Sequence, residues 1–147
     1  MKILEWTWST WVKRELHFTD IFPTWNITSI SSYCYNSDEI YLTKNKRGWE
    51  IPCGHLEEWE NSIDALKRET FEEVWWKILN HKYIGYYKVY FNWWINYCPI
   101  YLSKTEIISK PTWEEILDTI TVYDENILEY LWNPDLYNSL KKYNYLW

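Results

Sequence analysis

Three observations predict a mixed α/β chain. Runs of β-branched and aromatic residues, separated by turn formers, fill residues 26–51. A helical pattern with an N-cap signal follows, and an Asn-Pro pair opens another helix near the end. Residues 26–35 (NITSISSYCY) and 39–43 (EIYLT) read as two strands, with Asn36, Ser37 and Asp38 between them as the turn of a β-hairpin. Residues 44–48 form a polar turn, after which 49–51 make a short strand ended by Pro52. Asn61 suits a helix N-cap, with Asp64 three residues on as a relative of the capping box, and the helix should run to about Val74. On it Ile63, Leu66, Thr70 and Val74 share one face; Glu69, Glu72 and Glu73 share another. Residues 83–91 and 95–102 read as an antiparallel pair turning through Asn92, Trp93 and Trp94. Residues 111–118 are a loop entering a helical or extended segment, 120–123 a last strand and 124–131 a helix. Asn133 and Pro134 then supply the N-cap and first-turn proline of a final helix through Tyr143.

The chain has 147 residues, a size that suits a single domain, 1–147, around one core. Its formal net charge of -6 argues against a general nucleic-acid binder, because affinity for a polyanion rests on clustered Lys and Arg. An acidic protein still binds a phosphorylated small molecule when a cation bridges the charges. Cys34, Cys53 and Cys98 are odd in number and contain no C-x-x-C pair, so buried thiols in a reducing cytoplasm are expected rather than disulfides or a zinc ribbon. Glu5 and Lys2 interrupt the apolar character of residues 1–18, which read as neither a signal peptide nor a membrane span.

The most informative segment is 54–76, GHLEEWENSIDALKRETFEEVWW, or G-x5-E-x7-R-E-T-x-E-E-x-W-W. It resembles the Nudix box, in which the last two positions are a glycine and an aliphatic residue. Gly54, Glu60, Arg68, Glu69, Glu72 and Glu73 all match. Trp75 stands at the last glycine, Trp59 at a glycine common before the first glutamate, and Thr70 and Trp76 stand in for aliphatics. The resemblance implies an α/β/α sandwich with a mixed sheet and a loop-helix-loop box. It also implies hydrolysis of a nucleoside diphosphate linked to another moiety, by water attack at phosphorus with Mg2+ or Mn2+, and a homodimer is a common arrangement among look-alikes.

Three carboxylates on one helical face repel each other, and a hard divalent cation resolves the conflict by taking oxygen ligands from them and from substrate phosphates. By the resemblance, Glu69, Glu72 and Glu73 are metal ligands, with Glu72 the first choice as base; Glu114 or Glu115 would supply a distal carboxylate. Arg68 orients the carboxylates, since a guanidinium donates in a planar fork. Cys53, where the family usually has a glycine whose carbonyl binds metal, is a backbone-ligand candidate and not a thiolate site. His55 shapes the loop; His17 and His81 have no evident partner. Tyr86, Tyr87, Tyr90, Phe91 and Tyr97 belong mainly to strand core, with one available to stack on a base, and the irregular stretches 19–26 and 92–96 are candidates for selecting substrate. A catalytically impaired nucleotide-binding or sensor domain of the same fold is the competing reading.

Tryptophan outnumbers glycine by 13 to 3, although about 10 glycines are expected at this length. Trp25, Trp59, Trp75, Trp93 and Trp94 occupy places where turn chemistry favours glycine. The working hypothesis is that many of these are glycines in the cell, encoded by UGA under a code that reads this codon as glycine. Trp49, an aromatic common before the box, is expected to be genuine.

Overall fold

The computed structural model describes residues 3–9, 12–45, 48–74, 76–91, 93–107 and 119–146, with side chains described except at 3–9, 45, 69–74 and 107. Two N-terminal strands, β1 (Ile3–Ser9) and β2 (Val12–Phe18), pair antiparallel and lead to β3 (Ser29–Asn36) and β4 (Glu39–Asn45). The short strands β5 (Gly48–Glu50) and β6 (Cys53–His55) precede helix α1 (Ser62–Val74). Long strands β7 (Trp76–Phe91) and β8 (Trp94–Ile107) follow, then β9 (Thr119–Tyr123), a 3-10 turn at Asp124–Asn126, α2 (Ile127–Tyr130) and α3 (Asp135–Lys142).

One mixed sheet runs β1-β2-β7-β8-β3-β4-β5, with β6 also on β3 and β9 also on β4. The β3–β8 pair is parallel; the other strand pairs are antiparallel. On one face Ala65 and Leu66 of α1 pack on Ile30 and Tyr101. On the other, Ile127, Leu131, Leu136, Tyr137 and Leu140 from the C-terminal helices and their link pack on Leu16, Phe18, Tyr33 and Ile100. Helices on both faces of a mixed sheet make the expected α/β/α sandwich.

The predicted hairpin forms, with Asn36 opposite Glu39 and Ser37 at φ +54 in the turn. Four expectations need correction. The pair 83–91 and 95–102 extends to Trp76–Phe91 and Trp94–Ile107, and because Phe91 faces Trp94 the loop holds two residues, placing Trp94 in the strand. The 49–51 strand occupies 48–50. The 124–131 helix breaks into a 3-10 turn and a single α turn, because Leu131 leaves with ψ 122 to form a parallel bridge with Trp49. No strand was expected before residue 26, yet β2 is an inner strand: the alternating Glu15, Leu16, His17 and Phe18 send Leu16 and Phe18 into one core and bury Glu15 and His17 on the opposite face. The 111–118 loop lies outside the described residues.

Gly85 is required where it stands. Its φ is +155, and a Cβ there would lie 2.0 Å from the backbone oxygen of His17 on the neighbouring strand, so any side chain would wedge β7 away from β2.

Candidate active site

The box begins at a sheet edge. β6 pairs with β3 through Ser29↔His55 and Ser31↔Cys53, and the chain then turns over residues 57–60 into α1. Within that turn Glu60 N–H donates to Glu57 O at 3.1 Å, and Trp59, its third residue, has φ +68. A four-residue turn with positive φ only at its third position is the type II geometry, which glycine or asparagine adopts without a Cβ clash. Trp59 is also 96% exposed, so no packing holds a tryptophan there. The backbone at position 59 thus has the conformation glycine prefers. Trp75, the other box position expected to hold glycine, lies outside the described residues.

Helix α1 starts as its sequence directs. Asp64 N–H donates to Asn61 Oδ1 at 2.8 Å, and Asn61 Nδ2 donates to Asp64 Oδ2 at 2.9 Å, joining cap and third residue in a box that contributes about 1 kcal/mol. Ser62 shares a buried 2.6 Å hydrogen bond with the Tyr101 hydroxyl, fixing the first turn to β8.

Arg68 is the clamp of the box. Its Nε donates to Glu60 Oε2 at 2.7 Å and its Nη2 to Glu60 Oε1 at 2.9 Å, a planar two-point fork, while Nη2 also donates to His55 O at 3.1 Å. Glu57 N–H adds a 3.0 Å bond to Glu60 Oε1. The Arg68 fork, helped by that N–H, holds the Glu60 carboxyl down at about 2. Helix, turn and sheet edge are therefore tied together through one guanidinium. Sequence reasoning aimed Arg68 at the acidic constellation and did not single out Glu60 as its partner; the eight-residue interval between the two box positions was the available signal.

Glu69, Glu72 and Glu73 lie on the continuous α1 helix, where spacings of three and four residues put their positions on one face; their side chains lie outside the described residues. Glu114 and Glu115 also lie outside them. Among the described residues, no group of three or more His, Cys, Asp or Glu is arranged to hold a metal ion.

Beside the box lies a cavity of ≈ 140 Å³ on the sheet face opposite α1, with Cys53 in its wall. Arg14 of β2, Tyr87 of β7 and Cys98 of β8 join Cys53 on its sheet side, and Trp132 and Asn133 close it from the α2–α3 link. A hydrogen-bond relation with the buried Cys98, more than burial of its own, pushes the Cys53 thiol above its ordinary value, in line with a backbone role only. Tyr87 is the one of the five strand aromatics that reaches this cavity, and the described residues lining it include none from 19–26 or 93–96. Arg14, Glu50, Trp132 and Asn133 were missed from sequence, since they converge from distant segments with no spacing signature.

Of the remaining histidines, His17 bonds through Nε2 to the Glu15 carboxylate and stacks on Tyr86, while His81 meets Tyr101 edge-on. Both sit on the α1 face, away from the cavity.

The family model described as NUDIX domain matches residues 26–141. Comparison with curated proteins gives no match. Among solved structures, the Bacillus subtilis pyrophosphohydrolase BsRppH is similar with a TM-score of 0.65 and 24% identity, over 76% of this chain and 72% of that one. MutT, from work on Aliivibrio salmonicida and Vibrio cholerae, is similar at 0.58 and 18%, over 79% and 94%. An ADP compounds hydrolase is similar at 0.55 and 15%, over 91% and 84%. At such identities these likenesses concern the fold. The family match spans most of the chain and contains the whole box with its Arg68–Glu60 clamp, so the chain belongs to the Nudix hydrolase family.

Proposed function

We propose that the chain, acting as one domain over 1–147, cleaves a diphosphate linkage in a nucleoside diphosphate joined to another moiety. The observation that carries this reading is the Arg68 fork on Glu60, which braces the helix bearing Glu69, Glu72 and Glu73 against the sheet edge that begins the box. The donor set fits Mg2+ or Mn2+, because three carboxylates and a carbonyl are hard oxygen ligands. Such an ion would neutralise the diphosphate and make an attacking water more acidic.

In this reading Glu69, Glu72 and Glu73 would hold the metal with the Cys53 carbonyl, and Glu72 would take the proton from water. Arg68 acts through position, holding α1 at one distance from β6. A carboxylate at Glu114 or Glu115 would complete the set. Three free cysteines, two of them buried, suit a reducing cytoplasm, and no helix of the described residues is long and apolar enough to cross a membrane.

The test is Mg2+-dependent phosphate release from nucleoside diphosphate derivatives, for the parent and for Glu72→Gln and Glu73→Gln. Metal-dependent turnover that both variants lose while melting like the parent supports the hydrolase. A parent that binds nucleotide without turning it over supports the sensor domain instead.

The left-handed backbone at exposed Trp59 makes the second reading concrete. Peptide mass spectrometry across residues 48–77 of protein from its native cell separates the two. Glycine mass at 59 and 75 identifies the tryptophans as recoded and favours the enzyme, whereas tryptophan mass at both leaves a strained box and favours the sensor.

A further inference from the structure

The sheet beneath α1 changes chemistry partway along the helix. Ala65 and Leu66 rest on Ile30 of β3 and Tyr101 of β8, and Ser62 bonds the Tyr101 hydroxyl. Two residues further along the same face of these strands stand Ser32 and Ser103, and beyond them Cys34 and Thr105; all four are completely buried. A helix on a sheet is ordinarily met by apolar side chains, and hydroxyls withdrawn from water need partners.

Ser32 and Ser103 share a 2.6 Å hydrogen bond between their Oγ atoms. Cys34 Sγ donates to Ser32 Oγ at 3.6 Å, and Thr105 Oγ1 donates to the Ser103 carbonyl at 3.0 Å. Each serine has one hydrogen to give, and closing the pair uses one of the two. The other meets no oxygen acceptor among the described residues.

The helix changes at the same step. It runs in the direction of β3 and β8, from Ser62 beside Tyr101 to its end at Val74, next to which Trp76 packs with Cys34 and Tyr41. Position 69 lies about two turns past Ser62 and one past Ala65 and Leu66, so it falls on the side of α1 that packs on the sheet. From Ala65 to Glu69 the helix rises about 6 Å, and two residues of a strand advance about 6.6 Å, so Glu69 keeps pace with the serine pair.

We infer that the Ser32–Ser103 pair positions Glu69, its spare hydroxyl hydrogen donating to the Glu69 carboxylate. The inference rests on reading Glu69 as a ligand of the divalent ion. Carboxylates on a metal are themselves held by hydrogen bonds, and loss of such a partner costs metal affinity or rate. The serines touch neither ion nor substrate. Because the pair consumes one hydrogen, a lone serine still supplies the other.

The test measures the Mn2+ affinity of the full chain, by paramagnetic resonance of the free ion, beside kcat and KM for Mg2+-dependent phosphate release. Ser32→Ala and Ser103→Ala are each expected to stay near the parent. The double variant is expected to weaken Mn2+ binding roughly 10- to 100-fold and to lower kcat with KM little changed; melting curves establish that it folds. In a Glu69→Ala background the two serine substitutions together are expected to add nothing, since the hydroxyls act through that carboxylate. A double variant that binds Mn2+ and turns over like the parent overturns the inference and leaves the hydrolase standing. Losses undiminished in the Glu69→Ala background also overturn it, and would assign the serines to packing. Mn2+ affinity untouched by Glu69→Ala itself sinks both the inference and the metal role of Glu69. Mn2+ binding that needs the serines and Glu69, in a parent without turnover, supports the inference and sinks the hydrolase.

Discussion

The two faces of the sheet hold their helices by different means. On the C-terminal face, Leu136, Tyr137 and Leu140 of α3 join Leu16, Phe18, Leu42 and Ile100 in one extended apolar cluster. On the other, the described half of α1 places Ala65 and Leu66, with Ile63 packed beside them, in a small cluster with Ile30 and Tyr101, and it is further held by polar latches: Asn61 with Asp64, Ser62 with Tyr101, Arg68 with Glu60 and His55. Apolar packing tolerates small shifts of direction, whereas hydrogen bonds fix distance and angle. A helix that has to present carboxylates at set positions gains more from latches than from extra burial. Substitutions on the α1 face should therefore cost activity first, and substitutions on the α3 face should cost stability first.

The largest break in this contrast is expected from the carboxylates. Glu72→Gln should lower kcat by ~10²–10⁴-fold, the range for removing a general base, and leave the urea midpoint where it was. A fall in midpoint comparable to the loss of activity would remove the division of labour between the faces. Leu140→Ala, at a fully buried position on α3, should destabilise by about 2–5 kcal/mol in urea unfolding, while kcat of the remaining folded fraction stays near that of the parent.

Arg68→Lys keeps one charge but cannot hold Glu60 at two points, and kcat should fall by roughly 10- to 100-fold with little change in stability. Trp59→Gly should raise stability by about 1 kcal/mol, the relief of a left-handed L-residue less the added freedom of glycine in the unfolded chain. Stability lost at this position would show that the ring packs in a way its exposure does not suggest. The smallest effect concerns pH. Glu60 titrates at about 2 in the folded protein against an ordinary 4.5, so its clamp stabilises fully above 4.5 and that contribution disappears as pH falls toward 2. The difference in melting temperature between parent and Glu60→Gln should be largest near neutral pH and close across that acid interval.

Much of the box side was legible in the chain itself. The N-cap at Asn61, the end of α1 at Val74 and the hairpin turn at Ser37 are local, decided by side chains within four residues of the groups they satisfy. The same holds for the glycine-like demand at position 59, which follows from a turn only four residues long. The cavity was not legible, because Arg14, Glu50, Tyr87 and Trp132 are separated by tens of residues and meet only once β2 has paired with β7 and the α2–α3 link has closed over the sheet. The N-terminal hairpin did carry a signal, the alternation of Glu15, Leu16, His17 and Phe18, but it spans only four residues, and the strand's inner place in the sheet is decided by its pairing with β1 and β7.

By itself, then, the sequence determined the family pattern, the acidic helix and the local turns, since spacing along a helix or a turn is a property of consecutive residues. Tertiary structure alone decided that Arg14, Glu50, Tyr87 and Trp132 line one cavity. Partners distant along the chain are chosen by the sheet register that brings them together, and that register is set by burial summed over the whole fold.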